Sequence, residues 1–417
     1  MEKALNIDFD KVTESLKLSK NSIDKRRIYF NRFVKNGFPN KRQEDWKFSD
    51  LNQIINTNFK ELNFNYTNQD LNKVDQEIYI KNFKHNKIVF VDGYISKLDF
   101  HHEEDSKIEI SEEINFIENE SKDHVNVLLS LNSALLTNYI KIIIKKDYFF
   151  KKPLIIYNMT SDKLTSKVLN QRVDFILEQN SSLNLINLFH DKSDNNFINI
   201  YQNVRLAEDS IFKNYKIDHI ANSNIKYFYN NIDLNKNSIA ESFIFSTGSK
   251  FIKNEINCNL NEEYSSAFIN GIINLKDKKH HEIKTNINHL AEKTKSYQLI
   301  KSVLNDNSKG VYQGKIFVDS SAQGTDGYQL SKALLLNEST EFNAKPELEI
   351  YADDVKCSHG STSGNLDKEA IFYLMSRGLN YQQSRELLIN GFLLDVVEKI
   401  TDLEIKNLIK DMIGIKE

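Results

Sequence analysis

The sequence contains few cysteines and prolines, and it has no long apolar run. Its 417 residues include two cysteines, three prolines and one tryptophan. Cys258 and Cys357 lie far apart, which argues against a disulfide scaffold and favours a reducing compartment. No apolar run approaches the ~20 residues of a membrane helix, and the segment from Met1 to Asp8 lacks the apolar core of a secretory signal. We therefore expect a cytoplasmic protein.

The charge of the chain is nearly balanced. Lysine and arginine number 55 and aspartate and glutamate number 58, for a net charge of -3. This balance favours neither nucleic acid nor an anionic membrane as a partner. The sequence also lacks a glycine-rich phosphate-binding loop, so we expect no ATP hydrolysis by the chain itself. No Ser/His/Asp arrangement for nucleophilic catalysis stands out either.

Hydrophobic periodicity divides the chain into three regions: helical at 1–75, strand-like at 76–345 and helical at 346–417. In the middle region short strands recur about every ten residues without Asn-Gly hairpin turns. A sandwich, a barrel, a propeller or a β-helix would fit such a run. Similar strand lengths, with asparagine and serine at strand ends, favour a β-helix, although no fixed repeat period is present.

Each flanking region contains amphipathic segments. Near the N-terminus we predict a helix whose basic residues, including Arg26, face solvent, and whose apolar residues face inward: Ile23, Ile28, Phe30, Phe33 and Val34. Trp46 is expected to anchor the N-terminal helices on the strands. Near the C-terminus Asp367 and Asn380 can each cap a helix. The second of these helices is expected to end at Gly391, and two further helices to follow.

One pair of residues carries chemistry of its own. Cys357 and His359 place a thiol and an imidazole two residues apart, and these ligand types suit iron–sulfur chemistry or zinc. In an extended segment such residues share one face. Cys357 could ligate, receive sulfur or only pack. His359 could ligate a metal, or it could cap a turn where the strands give way to helices.

The segment from Lys345 to Gly360, which contains this pair, closely resembles the C-terminal signature of the SufB/SufD family. These proteins are scaffold subunits of the Suf iron–sulfur cluster assembly machine. Further resemblance lies in Gly310–Ile316, in Thr325–Leu336 and in the tryptophan segment Glu44–Leu51. The strong similarity covers roughly residues 280–400. Cys-Ser-His-Gly stands where SufB-type members carry Cys-Glu-His, and thiols are few, so the chain is more similar to SufD.

The resemblance implies a mainly β fold: a right-handed parallel β-helix at 76–345 between helical domains at 1–75 and 346–417. It implies a non-catalytic scaffold that pairs with SufB through the β-helix and holds the SufC ATPase on its C-terminal domain. His359 and Cys357 would be metal ligands to a nascent cluster shared transiently with SufB. The resemblance leaves open whether a reduced flavin takes part in the complex, and the sequence leaves open whether the isolated chain forms a homodimer through paired strand edges.

Two other functions compete with this interpretation. A SufB-type subunit would bear most of the cluster itself. A secreted β-helix enzyme acting on carbohydrate is the other alternative, and the helical C-terminus and missing signal argue against it.

The remaining cysteine and histidines are expected to be structural. We predict that Cys258 lies in the core and that His289 is a hydrogen-bonded strand residue. His280 and His281 are expected to be solvated, and His101 and His102 to belong to a charged surface loop.

Overall fold

The computed structural model describes residues 7–64, 79–113, 126–162 and 164–415. The chain divides into two compact units. The first comprises Met1–Ile211 and Asn222–Ile232, and the second comprises Phe212–Ala221 and Asp233–Glu417. The predicted boundary between residues 75 and 76 lies outside the described residues.

The first unit begins with helices whose starts are fixed by side-chain caps. Asp8, Ser19 and Asp50 each accept a hydrogen bond from a backbone N–H of the first turn. The helices of this unit are α1 (Phe9–Ser15), α2 (Lys20–Asn36), α3 (Leu51–Asn58) and α4 (Val127–Leu135).

The predicted orientation of α2 is wrong in part. Arg26 is buried and its Nη1 donates to the carbonyl oxygen of Leu136 at 2.6 Å. Ile28 and Val34, predicted to face inward, are instead exposed. Burial lowers the pKa of the Arg26 guanidinium to about 10. The buried hydrogen bond to a carbonyl satisfies a charge that the apolar pattern alone assigns to the solvent.

The strands of the first unit form two sheets. Their bounds are β1 (Asn63–Phe64), β2 (Asn86–Val91), β3 (Tyr94–Asp99), β4 (Ile108–Glu113), β5 (Tyr139–Ile144), β6 (Leu154–Thr160), β7 (Lys167–Leu177), β8 (Ser182–Asp191) and β9 (Phe197–Leu206). One sheet has the order β4-β5-β7-β9, with β1 on β7, and the other has the order β3-β2-β6-β8. Pairing is parallel except for β2 with β3 and β4 with β5. A turn at Asp92-Gly93 joins β2 to β3, with positive φ at both residues.

Strands β10 (Ile211–Asp218) and β11 (Ile225–Leu234) each have residues in both units. Within the first unit, Trp46 is buried and its ring lies 5.9 Å, centroid to centroid, from that of Tyr227. This contact agrees with the anchoring role predicted for the tryptophan.

The second unit continues the same plan with parallel strands alone. Their bounds are β12 (Ile239–Ser246), β13 (Phe251–Leu260), β14 (Ser266–Leu275), β15 (His280–His289), β16 (Lys295–Leu304), β17 (Lys309–Val318), β18 (Thr325–Leu335), β19 (Glu341–Ile350) and β20 (Val355–Gly364). The sheet orders are β13-β15-β17-β19 and β12-β14-β16-β18-β20. Consecutive strands alternate between the two sheets, which is the arrangement of a parallel β-helix. The predicted fold class, mainly β with flanking helices, is confirmed.

The coils of this β-helix differ in length. His280 pairs with Phe251, 29 residues earlier, and with Lys309, 29 residues later. Lys309 in turn pairs with Glu341, 32 residues later. Strands keep their register while the turns absorb the differences, and this explains the absence of a fixed repeat in the sequence. Stacked asparagines follow the coils, for example Asn286, whose Nδ2 donates to Oδ1 of Asn257 at 2.9 Å.

The helices at the C-terminus are α5 (Lys368–Ser376), α6 (Tyr381–Val397) and α7 (Leu403–Ile413). Both predicted caps are present, and Asn380 forms a reciprocal capping box with Gln383. Strand β20 continues to Gly364, so the helical part begins at Lys368 rather than at residue 346. Helix α6 also runs through Gly391 without ending there. Burial of Leu393, Val396 and Val397 just beyond it outweighs the roughly 1 kcal/mol that glycine costs within a helix.

Helix α6 is fixed to the β-helix by a buried lysine. Nζ of Lys301 on β16 donates to the carbonyl oxygen of Phe392 at 2.6 Å and pairs with a carboxylate oxygen of Asp395 at 2.6 Å. Among the helices of the described residues, none has the length and apolar character that crossing a bilayer requires.

Candidate functional site

Cys357 and His359 lie on β20, the last strand of its sheet. In β18, buried residues alternate with half-buried ones, and Gly327 and Gln329 are among the buried residues of this inner face. Strand β20 pairs with β18 in parallel register, which sets Cys357 beside Gly327 and His359 beside Gln329. Both candidate ligands therefore occupy inner-face positions of the last coil.

Strands β19 and β20 each end their sheet, and we call their free sides the open edges. In the part of the chain that the structure describes, no strand pairs with these sides. The N–H of Asp326 donates to the carbonyl oxygen of Thr294, the residue just before β16, so the backbone groups of the alternate residues of β18, such as Gly327, face β20. The register then directs the N–H and C=O groups of Cys357, His359 and Ser361 toward the open edge. These three residues thus direct their side chains to the inner face of the coil and their backbone N–H and C=O groups to the open edge of the sheet.

The thiol of Cys357 is half-buried. It packs with Leu348 and Val355 against a buried cluster that includes Ile316, Val318 and Ala352. Burial raises the pKa of this thiol, so its thiolate form is less available than that of a free cysteine.

His359 is exposed, in contrast to the residue beneath it. Gln329 is fully buried, its Oε1 accepts from the hydroxyl of Tyr312 at 3.1 Å, and its Nε2 donates to the carbonyl oxygen of Glu347 at 3.2 Å. A fixed side chain therefore lies under an imidazole that solvent, or a second protein, can reach.

The other cysteine and the strand histidines are core residues. Cys258 is fully buried, and burial raises the pKa of its thiol. His289 is buried, with Nδ1 at 2.7 Å from the hydroxyl of Thr294 and Nε2 at 2.9 Å from that of Ser296. The prediction of a solvated His281 is wrong. Its ring is buried, and it contacts the Ser246 hydroxyl at 2.8 Å and the Ser249 carbonyl oxygen at 2.6 Å.

His280 and His101 lie beside carboxylates. Nε2 of His280 is 2.8 Å from Oε1 of Glu282, and Nδ1 of His101 is 2.5 Å from Oδ1 of Asp99. Within residues 7–64, 79–113, 126–162 and 164–415, no three His, Cys, Asp or Glu side chains are placed to hold a metal ion.

Comparison with known proteins identifies the family. Residues 157–392 match the SUF system FeS cluster assembly, SufBD core domain. This span is more than half of the chain and includes both candidate ligands. The chain belongs to the SufBD family.

Relatives of this SufBD chain include the iron-sulfur cluster assembly protein SufD of Escherichia coli. It is 28% identical over 392 residues, which cover 93% of this chain and 91% of that protein. A SufBD family protein of Synechocystis is 47% identical over 66 residues, 16% of this chain and 15% of its own length. SufD of Bacillus subtilis is 35% identical over 83 residues, 20% and 18% of the two chains. The resemblance to the SufB/SufD family, and to SufD in particular, is confirmed.

The C-terminal helices of this SufBD chain present apolar side chains to solvent. Phe372 and Tyr373 on α5 are 75% and 56% exposed, and Tyr381 at the start of α6 is 56% exposed. The sequence predicts amphipathic helices here but not which apolar residues stay uncovered, because that depends on how the helices pack. Clustered exposed aromatic residues are typical of protein interaction surfaces.

Proposed function

We propose that this chain is a non-catalytic scaffold subunit of a cytoplasmic Suf complex, in which a nascent iron–sulfur cluster is the cargo. It would pair with a SufB-type subunit through the open edges and hold a SufC-type ATPase on its C-terminal helices. The observation that carries the proposal is the position of His359 and Cys357 on the last coil of a β-helix, with unpaired strand edges beside them.

The open edges support pairing with a second β-helix. The free backbone groups of Cys357, His359 and Ser361 offer donors and acceptors to an added strand. In an antiparallel pair, residues directly opposite one another have Cα atoms about 5.5 Å apart. Side chains from both strands could then reach one metal ion, since Fe–N and Fe–S bonds resemble the roughly 2 Å bonds of zinc sites.

A shared site also suits the number of thiols in the chain. Clusters usually take about four protein ligands, whereas this chain has two cysteines and Cys258 is fully buried. His359 and Cys357 would therefore supply part of the ligand set, and the partner strand would supply the rest.

The test is anaerobic reconstitution of the three-protein complex with iron and sulfide, followed by visible absorption. We expect His359→Ala to leave the complex intact but to slow cluster formation roughly tenfold or more, since even indirect changes at metal sites cost 10–100-fold. Ser358→Ala, one residue away on the outer face of β20, is the matched control. Cluster formation at the normal rate in the His359 variant would falsify the ligand assignment.

A second arm tests the helical surface. Phe372→Glu should release the ATPase on co-purification while the SufB-type subunit stays bound, because a charge replaces an exposed aromatic contact. Lys399→Glu changes an exposed charge elsewhere and should retain both partners. Retention of the ATPase by the Phe372 variant at wild-type levels would show that it docks elsewhere.

A further inference from the structure

Gly327, directly beneath Cys357, leaves a slot in the inner face of β18. A Cβ atom built on Gly327 would lie 3.3 Å from Sγ of Cys357, 3.4 Å from Cγ2 of Ile316 and 3.6 Å from Nε2 of His289. The first two distances are at or near the lower limit of ordinary contacts. A side chain at position 327 would therefore press on the thiol and on Ile316, and one of them would have to move to make room.

The surroundings of the slot are those of a packing site. Cys357 lies against Ile316 and its buried neighbours, whereas His359, two residues along the same face, is exposed. The two inner-face side chains of β20 thus differ in exposure. The imidazole of His359 is accessible at the open edge, and the thiol of Cys357 is turned away from it.

His289, at the base of the slot, is not free to act as a base for the thiol. Its Nδ1 lies 2.7 Å from the hydroxyl of Thr294, and its Nε2 lies 2.9 Å from the hydroxyl of Ser296. Both nitrogens have partners, and the slot holds the thiol by shape rather than by proton transfer.

We propose that Gly327 is a positioning residue that keeps the Cys357 thiol turned into the β-helix, so that His359 is the ligand presented first and Cys357 joins a cluster only after rotating outward. The meaning of this for cluster assembly depends on the proposed function. The position of the thiol does not, and it can be measured on the isolated chain without metal or partner.

The experiment is native-state labelling with Ellman's reagent, DTNB, at one fixed pH. Cys258 is fully buried, so labelling of the folded chain reports Cys357 alone. In the unmodified chain Cys357 should react at least roughly tenfold more slowly than the thiols of the chain unfolded in denaturant. Gly327→Ala should raise the native rate roughly tenfold, because a methyl group that overfills a packed site displaces its neighbour.

Gly310→Ala is the matched control. It adds a methyl to a similarly tight position, 3.1 Å from the Leu304 methyls and without contact to Cys357, and should change the rate less than twofold.

Two results would overturn the inference. They are fast labelling of Cys357 in the unmodified chain, and an unchanged rate in Gly327→Ala while Cys258 stays protected. If Gly327→Ala does not fold, Cys258 is labelled as well, and the labelling rate of the unmodified chain then decides whether the thiol is withdrawn. A failure here leaves the His359 result untouched, and the reverse also holds.

Discussion

The two units end their sheets in different ways. In the first unit the terminal strands are β3 and β4, which we call the closed edges. Each is six residues long and pairs antiparallel with its neighbour, β3 with β2 and β4 with β5, and the pairing of β3 with β2 shifts register between Val89 and Phe90 of β2. In the second unit the open edges belong to ten-residue parallel strands. Short strands, bulges and charges are the usual means by which proteins block edge-to-edge association.

Charge separates these edges only in part. The closed edges carry Lys97 and Asp99 on β3 and Glu109, Glu112 and Glu113 on β4. Of the open edges, β20 has one charged residue, Lys356, among serine, threonine and glycine, whereas β19 carries Glu341, Lys345, Glu347 and Glu349. The long and mostly uncharged edge of β20 is therefore the one that suits the strand addition proposed above.

Proline substitutions at two adjacent positions of β20 give the sharpest test of this difference between the edges. Ser361 directs its N–H to the open edge, whereas Thr362 directs its N–H toward β18. Ser361→Pro should reduce affinity for the SufB-type subunit by roughly 100-fold with little change in melting temperature, because the proline ring blocks strand addition. Thr362→Pro should instead lower the melting temperature by removing a hydrogen bond within the chain.

Affinity measured by titration and melting by circular dichroism distinguish the two effects. Equal loss of affinity in both variants, with equal melting temperatures, would show that the open edge is not the pairing surface.

The coils of the open-edged unit should also be sensitive to acid. Burial lowers the pKa of His281 and of His289 to about 4, below the usual 6.5 of the unfolded chain. Between these values the unfolded state binds more protons, so stability falls as the pH drops from about 6.5 to 4. We expect a loss of roughly 2 kcal/mol per histidine at pH 5.

Urea unfolding at pH 7 and pH 5 measures this loss. His289→Gln should flatten the pH dependence by about half. If the His289→Gln variant keeps the pH dependence of the unmodified protein, the imidazole of His289 is protonated to the same extent in the folded and unfolded states.

The smallest expected effect concerns the closed edges. Lys97 pairs with Asp99 at 3.7 Å, and its side chain is 49% exposed. Lys97→Ala should change the free energy of unfolding by no more than about 0.5 kcal/mol, because exposed ion pairs contribute little to folding. A loss above roughly 1.5 kcal/mol in urea unfolding would mean that the charge of Lys97 stabilises the fold of β3 rather than only blocking edge-to-edge association.

Much of the architecture could be predicted from the sequence. Period-two runs located the strands, and Asp367 and Asn380 located the C-terminal helices because a cap is a local signal. The extent of the last coil was not predictable in this way. Val355–Gly364 has no apolar alternation, since the final coil has no neighbour to cover its inner face, and its serines and glycines resemble a loop.

Buried polar residues were the other source of error. Arg26 and His281 carry side chains that usually face solvent, and each is buried because one specific acceptor lies within hydrogen-bond distance. Such partners come from distant parts of the chain and leave no local pattern. The Cys357–His359 pair could be located from sequence, but the slot at Gly327 could not, because it depends on the register of β18 and β20.

The unequal coil lengths have a practical consequence. Strands stay in register although the coils differ in length by a few residues, so the connections between strands tolerate changes in length. The five residues between β18 and β19, 336–340, form one such connection. A peptide tag or a fluorophore attachment sequence inserted there would give a handle on the last coils, with the strands on either side keeping their partners.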